Sequence, residues 1–233
     1  MNQVSKSLFT CSGNNLLRNI EQWKQLKDFK INAIDSDGKT ALFHCSTPDK
    51  AAALIKCGID INITDKNGEN ALFNQNASIL KRLVMHEINI NQVNKNGENA
   101  AFNVCASGID ILFNKGINKD LVSKSGHSCV FNAIYSDLHY AVSGLDKPAN
   151  LHWQYRNLLP KILLKSAKKV ILTSTDIEKI EQAMQTLLNS NIAYDVNLKD
   201  RVAELAIVVA KSAKVLLSEK TKTNALPINI IRI

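Results

Sequence analysis

The sequence predicts an all-α protein in which short helix pairs repeat along the chain as a solenoid. Three observations predict this fold class. A glycine-centred phrase recurs at nearly constant spacing, apolar segments with helix-capping residues follow the phrases, and a long amphipathic segment lies near the end of the chain. The phrases centre on Gly38, Gly68, Gly97 and Gly126, at spacings of 30, 29 and 29 residues. Chance does not produce this register.

Each phrase runs through the same residue types, from turn-forming residues to a phenylalanine. The four copies occupy residues 35–43, 65–73, 94–102 and 123–131. Aspartate, asparagine or serine at the start, followed by a glycine that can adopt positive φ, favours a tight β-turn that leads into a short first helix. A weaker copy at 7–12, which matches 41–46, indicates a degenerate first repeat.

A second helix is predicted after three of the phrases, and local signals mark both of its ends. The expected N-caps are Thr47, followed by Pro48, and at comparable places Asn76 and Ser107. Gly58 and Gly116 are expected to stop two of these helices. An extended return follows each stop, at 59–62, 88–91 and 117–118. The predicted unit is therefore turn, helix, turn, helix and extended return.

Residues 146–233 are predicted to form an enlarged last repeat and a basic helical C-terminal cap. Thr175 and Glu178 have the spacing of a capping box that opens a helix. A further helix near 198–218 carries apolar residues on one face, and the apolar tail 226–231 is expected to fold back onto the repeats. The predicted domains are thus the repeats, with motifs near residues 7, 38, 68, 97 and 126, over 1–145, and the cap over 146–233.

The order of these elements resembles the ankyrin repeat. Residues 40–43 match the T-P-L-H phrase of that family, and residues 58–62 match its G-A-D-V-N ending. The match covers residues 5–145 and departs from the family in two ways: the period is 29–30 instead of about 33, and phenylalanine replaces the motif histidine. The resemblance implies that packing of Phe43, Phe73, Phe102 and Phe131 replaces the hydrogen bonds of that histidine. Truncated bacterial ankyrin domains are similar in style.

Composition and charge narrow the class of protein further. The net charge of +8 favours an acidic partner or affinity for polyanions, and it is unevenly placed: residues 1–149 hold 16 Lys/Arg and 14 Asp/Glu, whereas 150–233 hold 13 and 7. The five cysteines are widely spaced without a C-x-x-C pair, which predicts reduced core thiols. Neither a membrane span nor a signal sequence is recognised, so a cytoplasmic location is expected; delivery into a host cell by a secretion system stays open.

One candidate site follows from the predicted turns. In a solenoid, equivalent residues of successive repeats form ladders on an extended surface. Lys66, Lys95 and Lys124 share one turn position, and Asn67 and Asn96 follow two of them. Because hairpin tips of ankyrin repeats commonly touch the partner, the resemblance implies a basic partner-binding stripe. The alternative is a solvated turn in which lysine is merely tolerated.

A second ladder follows the phenylalanines at His44, Asn74, Asn103 and Asn132. Asparagine is not favoured inside helices, so its recurrence calls for a reason. The three asparagines either form a structural hydrogen-bond ladder between repeats or line a polar inner surface that faces a ligand.

No catalytic motif stands out: G-x-S-x-G, a glycine-rich phosphate loop and H-E-x-x-H are all missing, and the five histidines are scattered. We therefore expect a protein that is not an enzyme and has no metal or cofactor. The leading hypothesis is a protein–protein interaction module that binds and sterically blocks or captures an acidic protein, as a bacterial inhibitor, immunity protein or effector does. The alternative is nucleic-acid binding through basic residues of the C-terminal helices: Lys161, Lys165, Lys168, Lys169, Lys211 and Lys214.

Overall fold

The computed structural model describes residues 3–11, 13–73, 75–143, 159–189 and 196–223. Regular structure in these residues is helical, with nine α-helices and one short 3₁₀ helix. β-structure within them is limited to isolated bridges, such as the antiparallel bridge between Ile34 and Thr40. The predicted all-α fold class is confirmed for this part of the chain. None of the helices described combines the length and apolar character that a membrane span requires.

The chain forms two compact units, Met1–Lys124 and Ser125–Ile233. The first unit contains α1 (Gln3–Thr10), α2 (Gly13–Trp23), α3 (Pro48–Lys56), α4 (Ala77–Leu83), a 3₁₀ helix (Ala100–Phe102) and α5 (Ala106–Asn114). The second contains α6 (Phe131–Ser143), α7 (Lys161–Ala167), α8 (Ser174–Leu188) and α9 (Val196–Thr223). The division lies inside the fourth phrase. The domain boundary predicted after residue 145 lies outside the described residues and stays a prediction.

Two of the three predicted N-caps are confirmed. Thr47 Oγ1 accepts a hydrogen bond from the backbone of Lys50 at 3.2 Å, and Asn76 Oδ1 accepts from the backbone of Ser78 and Ile79 at 3.0 Å each. The third prediction, Ser107, is wrong. Helix α5 begins two residues earlier, with Cys105 as its N-cap and without a side-chain cap.

Packing explains the earlier start of α5. The helix contacts α4 and buries Gly108, Ile109 and Leu112, which share one face of it. A Cβ on Gly108 would lie 2.9 Å from Leu80 Cδ1 and from Val104 Cβ, so the first turn of α5 sits tightly against these two side chains. This contact outweighs the local preference of serine for an N-cap position.

The predicted helix stops at two glycines are confirmed. Gly58 has φ +88°, its backbone N–H donates to Ile55 O at 3.0 Å, and the N–H of Ile59 donates to Leu54 O at 3.2 Å. Gly116 has φ +84°, and the same pair of bonds forms at the end of α5. This 5→2 and 6→1 pattern satisfies carbonyl groups of the last helical turn and reverses the chain.

The first helices are not formed as predicted after the first three phrases. After Gly38 the chain makes one turn, in which the N–H of Phe43 donates to Thr40 O at 3.1 Å. The third phrase has the 3₁₀ helix at the same place, and only after the fourth does a full helix, α6, follow. Space explains the difference, because only residues 44–46 separate Phe43 from the N-cap Thr47. Turns at 61–62 and 90–91 likewise shorten the first two predicted extended returns, whereas 117–118 contain no turn and are followed by one at 119–120.

The capping box in the second unit is real but lies two residues earlier than predicted. Helix α8 is capped by Thr173, whose Oγ1 accepts from the backbone N–H of Asp176 at 3.1 Å, while Asp176 Oδ2 accepts from the N–H of Thr173 at 3.1 Å. Thr175 is therefore already helical. Helix α9 covers the predicted helix at 198–218, whereas the tail 226–231 lies outside the described residues.

Phenylalanines and cysteines contribute to the core unevenly. Phe73 and Phe102 in the first unit and Phe131 in the second are at most 4% exposed, whereas Phe43 is only half-buried. All five cysteines are free thiols, and Cys45, Cys57 and Cys129 are buried as expected. The prediction of a core thiol is wrong for Cys105, because the early start of α5 leaves this residue exposed at the N-cap.

Candidate functional site

The first three turns, two of which carry candidate lysines, are each closed by the side chain of the residue that begins them. In the third turn, Asn94 Oδ1 accepts from the backbone of Asn96 at 2.9 Å and of Glu98 at 3.0 Å. Asp65 Oδ1 makes the equivalent bonds in the second turn at 2.8 and 3.0 Å, and Asp35 Oδ1 makes both at 2.9 Å in the first. Aspartate and asparagine offer the same acceptor oxygen, so either residue builds this turn.

Consecutive turns are joined through the backbone of the lysines. The N–H of Lys66 donates to Asp37 O, that of Lys95 to Asn67 O and that of Lys124 to Asn96 O, each at 2.9 Å. The approach is close: a Cβ on Gly38, which has φ +82°, would lie 3.2 Å from the nitrogen of Lys66. Only glycine fits both this conformation and this distance. The first unit therefore holds the three lysines in one continuous row, which we call the lysine row.

The side chains of the lysine row and of Asn67 and Asn96 are exposed, and their polar ends are not engaged within the described chain. No carboxylate there lies within 4.0 Å of the three ammonium groups, whereas Lys39 pairs with Asp65 at 3.7 Å. The nearby carboxylates of Glu69 and Glu98 instead each accept a hydrogen bond from Asn94 Nδ2 at 3.1 Å. The lysine row is thus a set of fixed backbone positions that carry unpaired cations.

A second exposed row was not recognised in the sequence. Its members lie two positions before Lys66, Lys95 and Lys124 and before Ser36, the equivalent residue of the first turn. It consists of Ile34, Thr64, Val93 and Val122, and we call it the β-branched row. Ile34, Val93 and Val122 are 50%, 41% and 51% exposed, and Thr64 is exposed too. The available signal was a β-branched residue directly before each turn-opening residue in four successive phrases.

The second predicted ladder does not act as one set. Asn74 lies outside the described residues, Asn103 is half-buried at the end of the 3₁₀ helix, and Asn132 is exposed on α6 in the second unit. His44 Nε2 lies 2.8 Å from Asp35 Oδ2, so this histidine is paired with the turn of its own repeat. The ladder therefore offers no common surface that the structure describes.

Two other asparagines form buried hydrogen bonds within their own repeats. Asn70 and Asn99, two residues after the phrase glycines, are each 1% exposed. Asn70 Nδ2 donates to Asn89 O at 2.8 Å and Asn99 Nδ2 donates to Asn118 O at 2.7 Å. The signal in the sequence was a small hydrogen-bonding residue at this position in all four phrases, from Thr40 to Ser128.

The loops that follow the second helices are also tied from repeat to repeat. Asn32 Oδ1 accepts from the backbone of Asp60 at 2.8 Å. One and two repeats later, Asn62 Oδ1 accepts from Asn89 and Asn91 Oδ1 accepts from Asn118, both at 2.7 Å. The repeats of the first unit are therefore linked both at the turns and at these loops, which holds the turn residues in register.

The hydrogen bonds of the first turn also shift the pKa of the Asp35 carboxyl group that closes it. Burial of Asp35 raises its pKa, but hydrogen bonds from the backbone of Lys39, from the His44 ring and from the backbone of Asp37 lower it. The net result is a pKa below the ordinary value of 3.8. Asp35 is thus held as a carboxylate by the turn that it builds.

The lysines of the second unit that form the alternative candidate site are all exposed, and the side chains of Lys168 and Lys211 bond to other elements of that unit. Lys168 Nζ lies 3.0 Å from Glu204 Oε2, and Lys211 Nζ donates to Lys168 O at 3.4 Å. The structure thus brings Lys168 and Lys211 together where α7 ends, and it uses them to hold α7 against α9. Across the described parts of both units, no group of three or more His, Cys, Asp or Glu residues is placed to hold a metal ion.

No protein-family model matches this chain, and no curated protein matches it either. Its function is therefore inferred from the chemistry of the surfaces described above.

Proposed function

We propose that this chain is an ankyrin-like, non-enzymatic protein-binding module that holds an acidic protein partner on the lysine row of its first unit. Binding would occupy the partner sterically, as an inhibitor, an immunity protein or an effector that captures its target does. The observation that carries this proposal is the row itself: Lys66, Lys95 and Lys124 are exposed, fixed at the backbone and unpaired within the described chain.

Two physical arguments support a binding role over a merely solvated turn. Each lysine backbone is hydrogen-bonded to the preceding turn at 2.9 Å, so the row needs little further ordering when a partner arrives. No carboxylate of the described chain lies within 4.0 Å of the ammonium groups of the row, and Glu69 and Glu98 are hydrogen-bonded to Asn94. A row of like charges costs stability through self-repulsion, and an acidic partner would relieve that cost and be steered to the site.

The ankyrin-like, stacked arrangement is part of the same proposal. It is supported by turns with positive-φ glycines, by capped helices, and by the contacts of α3 with α2 and α4 and of α4 with α5. Exposed ion pairs contribute only about 0–1 kcal/mol each. The lysine row would therefore supply orientation and encounter rate, while apolar and amide contacts beside it supply most of the affinity.

Capture of partners from a native lysate tests the proposal, with wild type beside the triple variant Lys66→Glu/Lys95→Glu/Lys124→Glu. A matched control, Lys27→Glu/Lys30→Glu/Lys115→Glu, makes the same change in charge at other exposed lysines of the first unit. Circular dichroism would verify that both variants fold. We expect wild type and control to capture the same proteins and the row variant to lose them.

The proposal fails if the row variant captures the same proteins as wild type. Nuclease treatment of the lysate distinguishes this proposal from the alternative function, which is nucleic-acid binding. Material that disappears from the capture after nuclease treatment, and whose binding weakens steeply with salt, would instead assign the chain to nucleic-acid binding.

A further inference from the structure

We infer that the element held by the lysine row is an extended acidic segment of the partner, with its backbone bound by Asn67 and Asn96 and a carboxylate at every third residue. This inference rests on the proposed function and adds the chemistry and conformation of the bound element. It is argued from three features of the turns: uncommitted amides, the spacing of repeats and the β-branched row.

The amides of Asn67 and Asn96 differ from those of other asparagines in the first unit. At Asn62, Asn70, Asn89, Asn94 and Asn99 the amide NH₂ groups donate hydrogen bonds within the fold. The side chains of Asn67 and Asn96 are exposed and, among the described residues, make no hydrogen bond. Each amide therefore presents a donor and an acceptor to solvent directly beside a lysine.

An exposed donor and acceptor pair fits the backbone of an extended peptide. Each residue of an extended segment has an unpaired N–H and C=O, whereas an α-helix satisfies these groups internally. The amides of Asn67 and Asn96 can therefore bond to the backbone of an extended segment, whose N–H and C=O groups are free, and not to that of an α-helix interior. The bound element is extended for this reason.

The spacing of the lysines sets the register of the partner. Helices that pack side by side, as α3 does with α4 and α4 with α5, lie about 8–10 Å apart. An extended chain in the polyproline II conformation rises about 3.1 Å per residue with three residues per turn, so three residues span one repeat and every third side chain lies on the same face. Carboxylates at every third position of the segment would then face Lys66, Lys95 and Lys124 in turn.

The β-branched row gives the segment an apolar requirement. Val93 and Val122 lie two residues before Lys95 and Lys124, and both are more than 40% exposed. When a partner covers a row of exposed apolar side chains, burial of their surface contributes favourably to the free energy of binding. The segment should therefore carry apolar residues between its carboxylates.

Synthetic peptides test this inference on the full chain by fluorescence polarisation. The probe repeats Glu-Val-Thr four times. A second peptide of identical composition has its glutamates clustered at one end, and a third, helix-favouring peptide carries glutamate at every seventh position. We expect the first peptide to bind at least about tenfold more tightly than the other two, a difference of about 1.4 kcal/mol.

Variants of the chain separate the backbone contact from the charge. The double variant Asn67→Ala/Asn96→Ala should bind the probe about tenfold more weakly than wild type. Its matched control is Ser46→Ala/Ser78→Ala, which removes two exposed polar side chains away from the tips and should leave binding unchanged. The lysine-row triple variant should lose the probe.

Equal affinity for the first two peptides, tighter binding of the helical peptide, unchanged binding by the asparagine variant, or no binding of the probe would each overturn the inference. Failure here leaves the proposed function standing if the lysine-row variant still loses its lysate partners. If that variant retains them, the proposed function itself has failed.

Discussion

The imidazole Nδ1 of His127 lies 2.9 Å from Oδ1 of Asp176, whose carboxylate is fully buried. The other oxygen of Asp176 accepts from the backbone of Ser128 at 3.0 Å as well as from that of Thr173. Thr173 Oγ1 in turn donates to Gly126 O at 2.6 Å. In the second unit, one carboxylate therefore caps α8 and also fixes the turn before α6.

Replacing Asp176 by asparagine should destabilise the protein. The amide keeps the shape of the side chain, but its NH₂ group cannot accept the hydrogen bonds that one of the Asp176 oxygens accepts. Leaving a buried donor without its acceptor costs about 1–3 kcal/mol. Urea unfolding of Asp176→Asn beside Glu178→Gln, an exposed position in the same helix, measures the effect. A loss no larger than that of the control would contradict the assigned role of Asp176.

The stability contributed by Asp35 should depend on pH in the acid range. Its pKa in the folded protein is lowered, so the unfolded chain binds more protons between the two pKa values, and stability rises with pH there. The contribution is fully present above the unfolded pKa of about 3.9 and is lost as pH falls through the folded pKa. The free energy of unfolding of wild type should therefore exceed that of Asp35→Asn by a constant amount above about pH 5 and by less below about pH 4.

Asparagine is a conservative probe at position 35, because Asn94 closes the third turn in the same way. Urea unfolding at a series of pH values gives the difference, with Asp37→Asn as a control in the same turn. If the difference between wild type and Asp35→Asn stays the same from pH 6 to pH 3, the Asp35 carboxylate is not the group responsible.

Replacing Gly108 by alanine should destabilise the first unit although alanine is the better helix former. Alanine gains up to about 1 kcal/mol of helix propensity. Its Cβ would lie 2.9 Å from Val104 Cβ, an atom that cannot move without its backbone, and such overpacking costs about 1–3 kcal/mol. Thermal unfolding of Gly108→Ala should show a lower midpoint than wild type, while Ser107→Ala, exposed in the same turn, should not. A raised midpoint for Gly108→Ala would contradict this prediction, because it would show that Leu80 and Val104 can move to accommodate the added methyl group.

Local signals in the sequence were sufficient where neighbouring residues decide the structure. The caps at Thr47 and Asn76 and the stops at Gly58 and Gly116 depend on residues within one helical turn. The cap of α8 was misplaced because Asp176 is recruited by His127 and Ser128, which lie 49 and 48 residues away in sequence. The start of α5 was misplaced because contact with Leu80 decides it.

The same distinction applies to the candidate site. Lys66, Lys95 and Lys124 could be grouped from the sequence because they share one position in similar turns. Only the folded chain shows that no carboxylate of the described residues pairs with their ammonium groups and that Glu69 and Glu98 bond to Asn94. Exposure of Val93 and Val122 is likewise a tertiary property, since valine is a residue type that is often buried in folded proteins.

The cysteines should differ sharply in their reactivity. Cys105 is exposed at the start of α5. Burial raises the pKa of the Cys45 thiol to about 11 against a smaller lowering by Lys50, so little thiolate forms at neutral pH. Peptide mapping after brief iodoacetamide treatment at pH 8 should find Cys105 modified and Cys45 intact. Addition of urea should expose Cys45, and equal labelling of both under native conditions would contradict this burial.

The links between the loops of successive repeats have a consequence for how such a chain can change in length. Asp60 is bonded to Asn32, Asn89 to Asn62 and Asn118 to Asn91, over 28, 27 and 27 residues. Every link crosses a single repeat and uses the same donor and acceptor positions. A gene duplication or deletion of one whole repeat would therefore recreate the link at the new junction. The lysine row can therefore lengthen or shorten in steps of one lysine while the bonding between repeats stays intact.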